Sequence, residues 1–187
     1  MILRQRLIAV PQDPVFLPDG TSFRASLDPS NTATPAECQK VLEAVRLWPL
    51  VQEQADGLDV PLTAGKLSAK QRQLFSLGRA VLRAVIGQRS APTLNAYSPG
   101  ESQGGILILD EVSSSVDRET ERIMQEIIRE EFAQYTVIAV SHRLEMIMDF
   151  NRVVVMDRGI AVEVGNPVAL REVKGSWFGE LVAAAGA

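Results

Sequence analysis

The chain has 187 residues, of which 46% are hydrophobic and 22% are charged, and its formal net charge is −4. Such a composition is ordinary for a soluble globular protein of one domain, or of one domain with a small subdomain, and it argues against a nucleic-acid partner bound through a broad basic face. Cys38 is the only cysteine, so no disulfide can form within the chain. No apolar run approaches the roughly 20 residues that span a bilayer, and Pro11 interrupts the first apolar residues too early for a secretion signal. Taken alone, the chain is expected to be soluble and cytosolic.

The first elements in chain order are a short strand and a helical region. Residues 6–11 (RLIAVP) predict a buried strand that leads into a proline-rich turn. A helical region is predicted over about 34–55, because Thr34 can cap it and Glu37, three residues on, completes a capping box. Pro49 is predicted to break or kink this region.

A long helix is predicted from Ser68 to about Ile86, where leucine and valine recur every three or four residues on one face. Residues 87–104 are rich in glycine, proline and serine, and are predicted to be a long connection that bulges into solvent.

The second half of the sequence alternates between strand and helix patterns. The predicted elements are a buried strand over 105–110, a helix over 117–131 with Ile123, Ile127 and Ile128 facing inward, a buried strand over 135–142, a short helix over 144–149, a hairpin over 152–165 turning at Arg158 and Gly159, and an amphipathic helix over 167–184. Strand, helix, strand and hairpin together predict an α/β fold in which helices pack on a mostly parallel sheet.

Polar side chains follow three of the predicted strands. They are Gln12, the pair Asp110 and Glu111, and His142. Because the carboxyl ends of parallel strands meet at one edge of a sheet, these groups are expected to converge there. Asp110 suits Mg²⁺, Glu111 can orient a water, Gln12 can touch both, and His142 can donate to a phosphate, which describes a phosphoryl-transfer site. Each of them taken singly is more simply explained as a turn or structural residue, so the prediction depends on their order and co-occurrence.

A phosphate-binding loop of the form G-x-x-x-x-G-K-[ST] is absent from the sequence. The one Gly-Lys pair is Gly65-Lys66, and Leu67 follows it where serine or threonine is required. The strand and helix of such a loop would be expected before residue 1.

Five ordered segments resemble the nucleotide-binding domains of ABC transporters, and most closely the second such domain of C-subfamily, multidrug-resistance-associated exporters of fungal type. They are LRQRLIAVPQDPVFLPDGTSFRASLDP (the Q-loop region), KLSAKQRQLFSLGRAVLRA (the signature and its helix), GILILDEVSSSVD (the Walker B strand and D-loop), TVIAVSHR (the switch-histidine strand) and the hairpin that follows it. The resemblance covers almost the whole chain, and it implies a P-loop-NTPase-like sheet with a helical signature subdomain and a C-terminal hairpin, lacking the P-loop strand and helix.

The resemblance also implies roles for particular residues. Asp110 would hold Mg²⁺, with Gln12 sensing the metal and the water, while Glu111 would be the general base and His142 would contact the γ-phosphate of ATP. Residues that face ATP bound to the opposite domain of a head-to-tail dimer would be Ser68, Gln71 and, in the D-loop, Asp117. A helix N-terminus at Ser68 suits a phosphate physically, although Ser68 and Asp117 are also ordinary helix-capping residues.

Three departures from the family pattern carry expectations of their own. The Walker A loop and the aromatic residue that stacks on adenine are missing, so residues 1–187 read as a partial domain. Lys70 stands where the signature has glycine, and we expect it to impair the site by clashing with phosphate; the alternative is that its ammonium reaches the phosphate. Residues 87–104 read as a loop insertion between a helical signature subdomain over about 21–86 and a core formed by 1–20 and 105–187.

The function implied is that of an ATP-binding and hydrolysing motor of an exporter at the cytoplasmic face of a membrane. Its partners would be a second nucleotide-binding domain and the transmembrane domains, with no nucleic acid. The alternatives are a non-catalytic module that supplies its signature face to another such domain, and an incomplete product that scarcely folds. The heads of chromosome-organising and DNA-repair ATPases also carry a signature-like motif, but the Q-loop and the hairpin fit exporters better.

Overall fold

The computed structural model describes residues 7–90 and 104–185, and the chain divides after Val140 into two compact units. The first unit contains a sheet of three parallel strands, β1 (Leu7–Val10), β2 (Ile106–Asp110) and β3 (Thr136–Val140), in the order β1-β2-β3. Val10 lies opposite Leu109, and Asp110 lies opposite Val140. The three strands therefore end together, as the sequence predicts for parallel neighbours.

One face of this sheet is buried and the other is exposed. Ile8, Val10, Leu107 and Leu109 alternate along β1 and β2 and are at most 1% exposed. The opposite face carries four apolar side chains with between 41% and 55% of their surface exposed. They are Leu7, Ile106, Ile138 and Val140. The prediction that the strands over 105–110 and 135–142 are buried on both faces is wrong, because no element of the first unit among the described residues buries this second face.

The helices of the first unit begin at local signals that the sequence displays. They are α1 (Phe23–Leu27), α2 (Pro35–Ala44), α3 (Pro49–Gln52), α4 (Ala69–Ser90) and α5 (Arg118–Glu131), with 3₁₀ turns at Gly57–Asp59 and Ala64–Lys66. The capping box is confirmed: Thr34 Oγ1 accepts a hydrogen bond from the Glu37 N–H at 3.2 Å, and the Thr34 N–H donates to Glu37 Oε2 at 2.7 Å.

The helical region predicted over about 34–55 is interrupted near Pro49, as predicted, because α2 ends at Ala44 and a second helix begins at Pro49. Arg46 adopts a φ of 58°, in the left-handed region, which turns the chain before Pro49 opens α3.

The helix α4 continues to Ser90, four residues beyond the predicted end at Ile86. Arg89 holds its last turn, since Nη1 lies 3.0 Å from Glu37 Oε1 and Nη2 donates to the Thr32 carbonyl at 2.8 Å. The prediction of a connection over 87–104 is therefore wrong for 87–90, and residues 91–103 lie outside the described ranges. Gly78 lets α4 approach α2, because a Cβ there would lie 3.3 Å from Val45 Cγ2.

The second unit is built on an antiparallel hairpin of β4 (Val153–Asp157) and β5 (Ile160–Gly165). Its turn lies at Arg158 (φ 47°) and Gly159 (φ 81°), which confirms the predicted position. The helices of this unit are α6 (Leu144–Ile147), α7 (Pro167–Glu172) and α8 (Trp177–Ala185).

The tail predicted to be helical over about 167–184 forms two helices, α7 and α8, with a break between them at Gly175, whose φ is 79°. The core of this unit is small, and its buried members are Val153, Val155, Phe178 and Val182. Within the described ranges, no helix of either unit has the length and apolarity needed to cross a membrane.

Candidate functional site

The carboxyl edge of the sheet brings together three of the residues singled out from the sequence. Asp110 is the last residue of β2 and Glu111 follows it, while Gln12 stands two residues beyond the end of β1. Since Val10 pairs with Leu109, the segment after β1 runs level with Asp110 and Glu111. The sheet register thus places an amide and two carboxylates at the same edge.

Glu111 occupies a strained position at the exit of β2. Its φ is 46°, in the left-handed region that a residue with a Cβ rarely adopts. Its N–H donates to the carbonyl of Val140, the last residue of β3, at 2.9 Å. The bond holds the backbone turn in place, and strain of this kind is common where a side chain must be presented to a site.

Asp110 and Gln12 are both exposed. Along β2 the buried residues Leu107 and Leu109 alternate with Ile106, Ile108 and Asp110, so Asp110 stands at the end of the exposed face. No group of three histidine, cysteine, aspartate or glutamate side chains among the described residues could hold a metal. A cation at Asp110 would therefore need most of its ligands from phosphate oxygens and water, as is usual for Mg²⁺ in phosphoryl-transfer sites.

The loop that carries Gln12 is attached to α4 through two side chains that the sequence analysis did not single out as functional. Gln73 Nε2 donates to the Gln12 carbonyl at 2.5 Å, and Arg79 Nη1 donates to the Val15 carbonyl at 2.6 Å. Burial lowers the pKa of the Arg79 guanidinium, and the neighbouring charge of Arg83 lowers it further. A polar Gln73 among the apolar residues of α4 was the available signal, but its partner lies 61 positions away in sequence.

The signature segment forms the N-terminus of α4. Ser68 Oγ accepts a hydrogen bond from the Gln71 N–H at 3.2 Å, and Gln71 Oε1 accepts one from the Ser68 N–H at 2.8 Å. Ser68, Ala69 and Lys70 are exposed. The capping role that the sequence allowed for Ser68 is confirmed, and it occupies the N–H groups of Ser68 and Gln71. Ala69 and Lys70, between them, are exposed at a helix start, where a helix favours an anion.

Asp117 caps α5, as the sequence also allowed. Its carboxylate accepts a hydrogen bond from the Thr120 N–H at 2.8 Å. This bond is the main reason that the pKa of Asp117 lies below its ordinary value of 3.8, and the positive charge of Lys70 adds to the effect. The signature lysine and the residue predicted for the D-loop are thus close enough to interact electrostatically within one chain.

His142 belongs to the second unit, in which it follows Ser141 and is exposed. Ser141 Oγ accepts a hydrogen bond from the Arg143 N–H at 3.0 Å, which shapes the turn around His142 before α6 begins. The role of His142 beside Glu111 stays a prediction.

The comparisons with known proteins point to one family. The ABC-type transporter braE of Annulohypoxylon truncatum is 61% identical over 179 residues, which are 96% of this chain and 12% of that protein. The ABC transporter FGM5 of Gibberella zeae is 53% identical over 181 residues, with the same two shares. ATP-binding cassette sub-family C member 2 of Homo sapiens is 38% identical over 178 residues, which are 94% of this chain and 10% of that protein.

The chain is a homologue of the ABC transporters. Its relatives include fungal transporters and a member of the C subfamily, as the motifs predict. No family model matches the chain. The chain spans about an eighth of the length of the fungal relatives that it matches.

The fold of this ABC-transporter homologue also agrees with a solved structure. A bacterial Atm1-family ABC exporter with ATP bound aligns with a TM-score of 0.77 over 98% of this chain and 29% of that one, at 23% identity. The predicted α/β fold, with a parallel sheet, flanking helices and a C-terminal hairpin, is confirmed by this match.

Proposed function

We propose that this chain forms the part of an ATP-binding and hydrolysing domain that carries the signature and the Walker B strand, in an ABC-type membrane exporter. The observation that supports this most directly is the meeting of Gln12, Asp110 and Glu111 at one edge of a parallel sheet, in a chain homologous to ABC transporters. The homologous proteins are named as transporters, and ATP hydrolysis coupled to export is the activity that such a site would serve.

In this proposal each side chain at the sheet edge has one task. Asp110 would hold Mg²⁺ directly or through water, and Gln12 would contact the same metal and the attacking water without adding charge. Glu111 would take the proton of the water that attacks the γ-phosphate, with ADP as the leaving group, and His142 would donate a hydrogen bond to phosphate. When bound, Mg²⁺ supplies charge neutralisation for the phosphate oxygens.

The described residues fit this metal and nucleotide in part. Asp110 offers an exposed, hard oxygen ligand at the end of a strand, where α/β sheets bind ligands. The Gly65-Lys66 pair stands in a 3₁₀ turn that Leu67 ends, so it supplies no phosphate cradle. Because a glycine loop with its lysine provides most phosphate contacts, this chain alone is expected to bind MgATP weakly or not at all. Isothermal titration that gave a Kd tighter than about 10 μM would contradict this expectation.

The second nucleotide-binding surface in the proposal is the start of α4. There, Ser68 and the exposed residues Ala69 and Lys70 face ATP held by a second nucleotide-binding domain, and Asp117 lies at the same interface. The loop after Gln12 carries Val15 and Leu17, which are 69% and 37% exposed, and faces the transmembrane domains of the exporter.

A binding experiment tests this surface. The chain is mixed with a nucleotide-binding domain that has an intact Walker A loop, and association is measured with and without MgATP by analytical ultracentrifugation. ATP-dependent association is expected, and Ser68→Arg should abolish it by blocking the phosphate. Ser30→Arg is the matched control, since Ser30 is an exposed serine outside the proposed surface. Equal association with and without MgATP would overturn the proposal.

A second candidate function is a non-catalytic module that offers its signature face and turns over no ATP of its own. It is favoured by one specific observation: the start of α4 is exposed, and its capping bonds are complete within this chain. Glu111→Gln separates the two functions in a longer polypeptide that carries a Walker A loop. A motor domain should lose most of its ATP hydrolysis, whereas a module should show a rate independent of Glu111.

A further inference from the structure

The loop over residues 11–17 connects the end of β1 to the helical part of the first unit with little structure of its own. Among the described residues, none of its N–H or carbonyl groups forms a backbone-to-backbone hydrogen bond. Pro11 and Pro14 lack an N–H, which removes two of the donors that such a loop would otherwise have. Whatever orders this loop must therefore come from side chains.

Two side chains of α4 provide that order at the loop's carbonyls. Gln73 is 1% exposed, and its Nε2 donates to the Gln12 carbonyl at 2.5 Å. Its Oε1 is buried and accepts no hydrogen bond among the described residues. A buried acceptor without a partner is costly, so an apolar side chain would pack at this position at lower cost. The one favourable interaction that the Gln73 amide makes and an apolar side chain could not is the hydrogen bond donated by Nε2.

The second attachment combines a charged donor with an aromatic stack. Arg79 Nη1 donates to the Val15 carbonyl at 2.6 Å, and hydrogen bonds from charged donors are stronger than neutral ones. Next to Val15, the Phe16 ring stacks on Phe75 of α4, with centroids 5.5 Å apart and an interplanar angle of 24°. Phe75 and Arg79 are four residues apart, so they lie on one face of the helix.

We infer that Gln73 and Arg79 are positioning residues that fasten the loop of Gln12 to α4, so that this loop and the signature at the start of α4 move as one body. The helix α4 carries Ser68 at its N-terminal end and both donors within its first three turns. A displacement of that end on binding would therefore reach the Gln12 backbone through direct hydrogen bonds. The consequence for nucleotide binding rests on the proposed function, whereas the attachment itself does not.

The attachment is tested on the isolated chain by limited proteolysis. Chymotrypsin can cut after Phe16, and cutting after Trp177, at the start of α8, serves as an internal reference. Losing one donor should accelerate the Phe16 cut by about fivefold for Gln73→Met and about tenfold for Arg79→Met, with the Trp177 cut unchanged. Arg79→Lys keeps a donor and should restore most of the protection. Equal acceleration at both cuts would mean general destabilisation, and would overturn the inference.

Matched controls change the same residue types elsewhere. Gln39 donates to Glu43 on α2, and Arg46 pairs with Glu126, both near the surface. Gln39→Met and Arg46→Met should leave the Phe16 cut at the rate of the unchanged chain. If Gln73→Met fails to fold by circular dichroism, the Arg79→Met and Arg79→Lys pair decides alone, because Arg79 is only half-buried. An unchanged Phe16 cut in Arg79→Met overturns the inference.

Coupled movement is tested in the complex with a Walker A-bearing domain, at saturating MgATP. Association should slow the Phe16 cut of the unchanged chain and of Gln39→Met by about fivefold, and this slowing should be absent in Gln73→Met. Slowing that persists in Gln73→Met contradicts coupling through this bond. Failure of the unchanged chain to associate contradicts the proposed function and the coupling together, while the result on the isolated chain still decides the attachment.

Discussion

Ser68 and Gln71 cap each other across the first turn of α4, because each side chain accepts a hydrogen bond from the other residue's N–H, at 3.2 and 2.8 Å. The pair satisfies two of the N–H groups that every helix start leaves without a partner. Both residues are also proposed to face nucleotide. Changes at these positions should therefore be read in two ways, as effects on stability and as effects on association.

Removing the Ser68 cap should cost stability. Ser68→Ala is expected to lower the free energy of unfolding by about 1 kcal/mol, since a lost N-cap leaves an N–H without its acceptor. Ser68→Asp should retain most of that stability, because a carboxylate caps well and suits the helix dipole. Urea unfolding followed by circular dichroism measures both. Equal stability of Ser68→Ala and the unchanged chain would mean that the capping bonds contribute nothing.

Replacing Lys70 with glycine should strengthen MgATP-dependent association with a Walker A-bearing domain. Glycine permits a close approach of phosphate to the start of α4, and we expect affinity to rise by about tenfold. Lys66→Gly is the control, since Lys66 is an exposed lysine four residues earlier and its loss makes the same change in net charge. Weaker association of Lys70→Gly alone would support the alternative, in which the ammonium binds the phosphate.

The stability of the first unit should fall in acid partly through Asp117. Because its pKa is lowered in the folded chain, chiefly by the Thr120 N–H, Asp117 contributes stability that is present above its ordinary value of 3.8 and is lost as the pH falls through the folded value. Asp117→Asn keeps an acceptor for Thr120 but has no charge to titrate. Urea unfolding between about pH 6 and pH 2.5 should show a shallower acid loss for this variant. Parallel curves for the two proteins would exclude the effect.

Glu111 should reveal its backbone strain when glycine and alanine are compared at that position. Both substitutions remove the carboxylate, but only glycine adopts a φ of 46° without penalty. Glu111→Gly is therefore expected to be about 1 kcal/mol more stable than Glu111→Ala in urea unfolding. Glu43, in the helix α2, supplies the opposite control. There, Glu43→Ala should be more stable than Glu43→Gly by roughly 0.5–1 kcal/mol. Equal free energies of unfolding for Glu111→Ala and Glu111→Gly would show that the backbone at position 111 is not strained.

The exposed face of the sheet should govern self-association more than stability. Ile138 is 49% exposed, so Ile138→Thr should change the free energy of unfolding by less than about 0.5 kcal/mol while reducing light scattering at high protein concentration. Leu107, on the buried face at 0% exposure, should behave differently: Leu107→Ala is expected to cost about 2–5 kcal/mol. Scattering that is unchanged by Ile138→Thr would show that this face does not drive association.

The helix starts could be predicted from the sequence because their chemistry is local. Thr34 with Glu37, and Asp117 with Thr120, lie three residues apart, so the capping partners are visible in a short window. The ends of the helices were harder to predict, because they depend on contacts with distant residues. α4 extends past Ile86 because Arg89 reaches Glu37, which is 52 positions away.

In the candidate site, too, the features that depend on local sequence could be predicted, and those that depend on distant segments could not. The sequence by itself determined that an amide and two carboxylates follow strands of an α/β sheet, and the parallel register then placed Gln12, Asp110 and Glu111 at one edge. Only the tertiary structure decided which sheet face stays exposed, that Glu111 takes a left-handed backbone, and that Gln73 and Arg79 hold the loop of Gln12. The reason is physical: periodicity reports which side chains share a face, whereas coverage of that face and donor-to-carbonyl contacts depend on segments that are distant along the chain.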